Sequence, residues 1–396
     1  DLYLEKERYV DAAEAYEAFV ARDAEHPKAP LLQVEVIEAY KRGGFAMLVL
    51  DAKRNFVERY GLEQPFWQRN DPARNSEVAA HLRSNLTDLA QYYHAEAQKD
   101  GNRSHYQAAA RWYRKFLDYF PDETDSAGTN FLLAEILYES EDFAAATDEY
   151  ERTAYHYPRH EKSAEAAYAA ILAYRRHEES LPAAEQQAWH QRYLDSGLRF
   201  ADTYPDHPES AAVLTTIAED LFAQGQFDLA ITVAQAVVNK QPAVENSLAR
   251  TAWTVIAHSQ FDLGEFAAAE SAYYSLRPFT PADDLVAQQE IKDRIASSIY
   301  KQGEAARAAG DLATAVALFR RVGEAVPASA IRMTAEYDAA AAHFTLRVGT
   351  QGVTGYRNTM ASLLGVEQKQ VRILSKEVGG SFGMKGSAYN ESMCIL

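Results

Sequence analysis

At 396 residues and a formal net charge of −17, the chain is long enough for a large core or an extended repeat array, and its charge disfavours nucleic acid and anionic membrane surfaces. Hydrophobic residues make up 47% and charged residues 24%, which argues against wholesale disorder. The single cysteine, Cys394, leaves no disulfide framework and no thiolate zinc site, and no apolar run reaches the roughly 18–20 residues of a membrane span.

The chain opens on Asp1, inside a helical pattern and without an initiator methionine, and reads as a fragment or a processed product. One ladder of small and bulky apolar residues then recurs along it. It starts with Tyr9, Ala12, Tyr16 and Phe19, and a weaker copy follows at Phe45, Leu48 and Ala52, ending at Tyr60-Gly61. Pro65, Trp67, Asp71 and Pro72 mark a loop within 62–75. A helix is expected from Ser76, as N-cap, to Lys99. Further copies are Tyr106-Ala109-Tyr113-Phe116-Pro121 and Phe143-Ala146-Tyr150-Thr153-Pro158, with a degenerate one ending at Phe200 and Pro205.

The clearest pair is Gly225-Phe227-Ala230-Ala234-Val237-Pro242 and Gly264-Phe266-Ala269-Tyr273-Leu276-Pro281, with identical offsets, and Leu312-Ala315-Phe319-Val322-Pro327 closes the series. Each copy follows a first helix with its own apolar period, such as Leu133-Ala134-Leu137 or Leu214-Ile217-Leu221. A two-helix unit of this kind cannot bury its apolar face alone and must stack on its neighbours. The expected fold is therefore all-α, a right-handed superhelical solenoid of about eight antiparallel hairpins over residues 1–344.

The ladder resembles the second half of the tetratricopeptide repeat. Gly225, Phe227, Ala230 and Pro242 stand at its usual positions, although successive anchors lie 37, 39 and 46 residues apart instead of about 34. The long helices and the Tyr-x-Pro closures at 155–158 and 203–205 are similar to repeat proteins of the Gram-negative cell envelope, which implies a periplasmic or envelope-associated location.

Beyond residue 345 the composition changes. Residues 346–396 hold 8 of the 19 glycines and six Lys/Arg against three Asp/Glu, whereas the remainder carries 34 basic against 54 acidic residues. A strand at Leu346-Arg347-Val348, a helix from Tyr356 to Leu364 stopped by Gly365, and a strand over 371–374 are expected, followed by a glycine-rich loop over 379–386. This tail resembles the molybdopterin-binding subunit of molybdenum hydroxylases, the xanthine dehydrogenase and aldehyde oxidase group. The likeness rests on Thr350-Gln351, Leu363-Leu364-Gly365-Val366, Val371-Arg372 and Val378-Gly379-Gly380-Ser381-Phe382-Gly383-Met384-Lys385; Asn390 departs from the usual proline. It implies that Gln351 would bond near the molybdenum oxo ligand and that Gly380, Ser381, Phe382 and Gly383 would pack against the metal–pterin centre. It also implies that the family's general base lies beyond the end of this chain. The tail thus reads as an incomplete fragment that binds no cofactor, with a molybdopterin-dependent oxidoreductase as the alternative.

No nucleophile–base arrangement or metal-ligand spacing can be assigned. His156, His160 and His207 flank prolines and read as exposed inter-helix residues, and His177 reads as solvated surface. The preferred function is a non-catalytic scaffold with a protein or peptide partner. In tetratricopeptide arrays the first helices line the concave groove. Carrying that register across places Phe131, Glu135 and Tyr138 there from one unit, then Thr215, Glu219 and Phe222, then Thr254, His258 and Phe261. Aromatics beside carboxylates would suit a segment with apolar anchors and some positive charge.

Overall fold

The computed structural model describes residues 2–71, 74–325, 334–338, 343–347 and 353–375. The chain divides into two compact units, residues 1–207 and 208–396. The first contains α1 (Leu2–Glu5), α2 (Tyr9–Arg22), α3 (Ala29–Arg42), α4 (Ala46–Tyr60), α5 (Phe66–Arg69), α6 (Ser76–Asp100), α7 (Arg103–Tyr119), α8 (Ser126–Glu139), α9 (Phe143–Tyr155), α10 (Ser163–Ser180) and α11 (Ala183–Thr203). The second contains α12 (Ser210–Ala223), α13 (Phe227–Val238), α14 (Asn246–Asp262), α15 (Phe266–Leu276), α16 (Leu285–Ala308) and α17 (Leu312–Ala325), then β1 (Thr334–Asp338), β2 (His343–Arg347), α18 (Val353–Leu364) and β3 (Val371–Leu374).

Within each unit, helices pack on their sequence neighbours, so the fold is the tetratricopeptide-like stack of helical hairpins that the ladder predicts. The ladder residues explain why. Its small positions, Ala109, Ala146, Ala230, Ala269 and Ala315, are all buried, which lets paired helices approach closely. The bulky positions Tyr113, Tyr150, Tyr273 and Phe319 are buried beside them. The turns obey local chemistry. Gly225 and Gly264 adopt φ of 73° and 82°, a left-handed conformation that glycine takes at little cost between first and second helix. In the last hairpin Gly303 lies under Phe319; a Cβ there would stand 2.6 Å from the ring, so a larger residue would force the helices apart.

Several details differ from expectation. The stretch after Tyr60 forms one helical turn, α5, because Phe66 is buried and the Trp67 Nε1 donates to the Tyr60 carbonyl at 2.8 Å. The cap position of α6 is Asn75, one residue before Ser76, and no side-chain bond caps it. His160 and His207 are half-buried: the His160 ring nitrogen accepts from the Lys162 amide, and the His207 ring packs 5.0 Å from Phe200. Only His156 of the three is exposed. His177 is half-buried too, edge-on to Trp189 at 4.1 Å, so a ring contact replaces the expected hydration.

At the end of the second unit, β1, β2 and β3 form a sheet in that order, β1 antiparallel to β2 and β2 parallel to β3. The expected strand near 346, the helix stopped by Gly365 and the strand at 371–374 are all present, and β1 lies before residue 345 and pairs across it with β2. Helix α18 crosses between the parallel strands and closes a small core of Leu346, Tyr356, Met360, Ala361, Val371 and Ile373. No helix among the described residues is long and apolar enough to cross a membrane.

Candidate functional site

Three hairpins carry the nine groove residues named from the sequence, and the same offsets place them at matching positions. The first position is buried in two of the three sets. Phe131 is buried on α8, its ring edge-on to Tyr150 at 5.9 Å and capped by the Lys162 ammonium 5.4 Å from its centre. Thr215 is buried on α12, and its hydroxyl donates to the Ala211 carbonyl one turn back. Thr254 is half-buried on α14, and its hydroxyl donates in the same way to the Arg250 carbonyl.

The third position closes each hairpin. Tyr138, Phe222 and Phe261 each pack on the first residue of the following helix, at 5.2 Å from Phe143, 5.6 Å from Phe227 and 5.2 Å from Phe266. The two rings are five positions apart each time, so the aromatic is a latch across the turn as well as a surface residue.

The middle position differs most, and a residue fifteen later on the second helix decides how. Glu135 faces Tyr150, whose hydroxyl donates to its carboxylate. Burial pushes the Glu135 carboxyl up, and that hydrogen bond pulls it partly back. Beside it, Glu139 accepts from the Gln98 side chain at 2.8 Å and lies 3.7 Å from His94 of α6. Burial holds His94 below the ordinary histidine value. His258 faces Tyr273, the rings 5.7 Å apart. Burial and the charge of Arg294 lower the histidine, against opposing pulls from Glu290 and Asp262.

Fifteen residues after Glu219 stands Ala234, whose side chain offers no donor. Among the described residues no hydrogen bond or ion pair reaches its carboxylate. Glu219 is exposed, yet the surrounding protein pushes its carboxyl up and the charge of Asp220 adds to the effect.

Glu219, Phe222, Thr254 and His258 meet around one concavity of about 510 Å³ between α12 and α14. Thr215 and Phe261 do not line it, and Phe131, Glu135 and Tyr138 belong to the other unit. Its wall also contains Ser247, Arg250, Thr251 and Val255, which the sequence reading omitted. They were within reach: 247, 250, 251, 254 and 258 share a face at helical spacing. The repeat register supplied too few positions: α14 has 17 residues against 14 in α12, and its additional N-terminal residues include Ser247, whereas Arg250 stands where α12 has Ala211. Arg250 pairs with Asp284 at 3.3 Å. A second concavity of about 730 Å³ lies along α16, where Leu285 and Val286 are strongly exposed beside Glu290, Asp293 and Arg294.

Among the described residues no group of three or more His, Cys, Asp or Glu side chains is arranged to hold a metal ion. Gln351, Gly380, Ser381, Phe382 and Gly383, the residues that the resemblance assigns to molybdopterin, lie outside the described residues. The described part of that segment packs its inward side chains on one another around Leu346 and Met360.

A family model described as the molybdopterin cofactor-binding domain matches residues 301–396. The match begins within α16 and takes in α17, which pack as a hairpin through Gly303 and Phe319. No curated protein matches the chain. Among solved structures, the chain is similar to a crystal structure of the P58(IPK) TPR domain, with 15% identity over 81% of this chain and 90% of that one, and a TM-score of 0.24. The hairpin fold is read from the helix packing described above and not from that likeness.

Proposed function

We propose that the protein is a non-catalytic interaction scaffold that presents helix faces of its hairpins to a peptide or protein partner. The observation that carries this reading is the concavity in which Glu219, Phe222, Thr254 and His258 meet. An aromatic wall, an unpaired carboxylate and threonine side chains in a pocket of that size suit a side chain delivered by another polypeptide. In this reading the polar groups of the wall serve as contacts for that side chain, with the His258 ring lying 5.7 Å from Tyr273. The Tyr-x-Pro closures at 155–158 and 203–205 support a place in a bacterial envelope.

The test is capture of a partner by the immobilised full chain, repeated with Thr254→Arg, which fills the concavity. A partner retained by the unaltered chain and released by Thr254→Arg, with helical circular dichroism unchanged, supports the reading. Equal capture by both proteins moves the site elsewhere, and no selective capture by either removes the scaffold assignment.

A second reading, a fragment of a molybdopterin-dependent oxidoreductase, is favoured by the match over 301–396. In that reading Gln351 and the Gly380–Gly383 loop would meet the cofactor. Metal analysis and pterin fluorescence on the purified protein separate the two, because a scaffold requires neither signal.

A further inference from the structure

We infer that the concavity between α12 and α14 receives a basic side chain, arginine or lysine, from a peptide partner. In this arrangement the Glu219 carboxylate meets the cation and the Phe222 ring lies along its stem. The inference rests on the scaffold reading and names the chemistry of its partner.

Three observations point the same way. Glu219 lacks an internal partner for a stated reason: its counterpart Glu135 receives the Tyr150 hydroxyl, whereas the residue fifteen positions after Glu219 is Ala234. A partly desolvated carboxylate without a donor gains from an incoming cation, and a charge-assisted hydrogen bond is the strong kind. Asp220 adds negative charge next to it.

The cations near the site do not cancel this. Arg250, the arginine in the wall, is paired with Asp284 at 3.3 Å, and burial and the charge of Arg294 lower the His258 value. The charge of Arg294 reaches His258, but the arginine side chain lines the concavity along α16 and not the one that holds Glu219. An acidic peptide would therefore set its carboxylate against Glu219, with Arg250 already engaged.

The third observation is the aromatic wall. Phe222 and His258 stand 6.1 Å apart with ring planes at 42°, and Phe222 is half-buried, so its ring is fixed while part of it remains open. A phenyl face attracts a cation and also covers the apolar stem of lysine or arginine.

The experiment is selection of random short peptides displayed on phage against the full chain, followed by affinity measurement with Glu219→Gln and Glu135→Gln. Selected peptides are expected to be enriched in arginine or lysine next to an apolar residue. Glu219→Gln should bind them about tenfold more weakly, whereas Glu135→Gln binds them as tightly as the unaltered chain. Glu219 is exposed, so its replacement by glutamine leaves the helical signal intact, which circular dichroism checks. Selected peptides without basic enrichment, peptides rich in acidic residues, or an unchanged affinity for Glu219→Gln would each overturn the inference while leaving a scaffold in place. If no peptide can be selected and the capture test also finds no partner, both readings fall.

Discussion

Hairpin α8/α9 in the first unit and hairpin α12/α13 in the second are built from one ladder, yet their outward faces differ. In α8/α9 the carboxylate of Glu135 is consumed by Tyr150, and Glu139 beside it is shared with Gln98 and His94. In α12/α13 the equivalent carboxylate, Glu219, is left over because Ala234 replaces the tyrosine. The same repeat position thus serves cohesion in one place and is available for recognition in another. The switch is a residue on the second helix, not on the face itself. A repeat register can therefore say which positions face outward, but not whether they are already engaged.

The comparison can be broken most forcefully at Tyr150. Tyr150→Ala removes a buried ring from between α8 and α9 and is expected to cost about 3–5 kcal/mol, read as a shift of the urea midpoint. If the loss is below about 1 kcal/mol, the ladder ring does not carry the packing assigned to it.

A finer cut is Tyr150→Phe, which keeps the ring and strips Glu135 of its donor. The expected loss is about 1–3 kcal/mol. Adding Glu135→Gln should return part of it, since an amide tolerates that environment better than an unpaired carboxylate. Simple additivity of the two changes in a double-mutant cycle would show that the residues are not coupled.

The contrast sharpens with pH at His258. Its folded value is lowered from 6.5, so the unfolded chain binds a proton that the folded one resists. The stability associated with neutral His258 is present above the unfolded value and is lost as pH falls from there toward the folded one. Thermal unfolding followed from about pH 7 to about pH 5 should fall less steeply for His258→Gln than for the unaltered chain. Parallel curves would show that His258 does not titrate with folding.

The smallest expected effect is at Glu219. Because nothing inside the protein uses its carboxylate, Glu219→Gln should change stability by no more than about 0.5 kcal/mol in the same urea experiment. A larger loss would mean that Glu219, like Glu135, works for the fold.

Much of the array was legible before any coordinates. Small residues at Ala109, Ala146, Ala230 and Ala269, rings at Tyr113, Tyr150 and Tyr273, and glycines at 225 and 264 mark the second helices and their turns, because close approach and left-handed backbone admit few residue types. The strand, helix and strand near 346, 356 and 371 were legible for the same reason, with Gly365 as the stop. The turn α5 was not, since Pro65 and Asp71 read as breakers, while the burial of Phe66, the Trp67 bond and the Asn70 amide on the Phe66 carbonyl hold the turn in place. Nor was the half-burial of His177 and His207, which lie against the rings of Trp189 and Phe200, or that of His160, whose ring accepts from the Lys162 amide.

The sequence by itself determined that this protein consists of paired helices which must stack, because short-range spacing settles which face of each helix is apolar. Only the tertiary structure decided which outward side chains remain unengaged. That depends on what reaches each of them from the neighbouring helix: a tyrosine hydroxyl for Glu135, a ring for His258 and, among the described residues, no donor for Glu219.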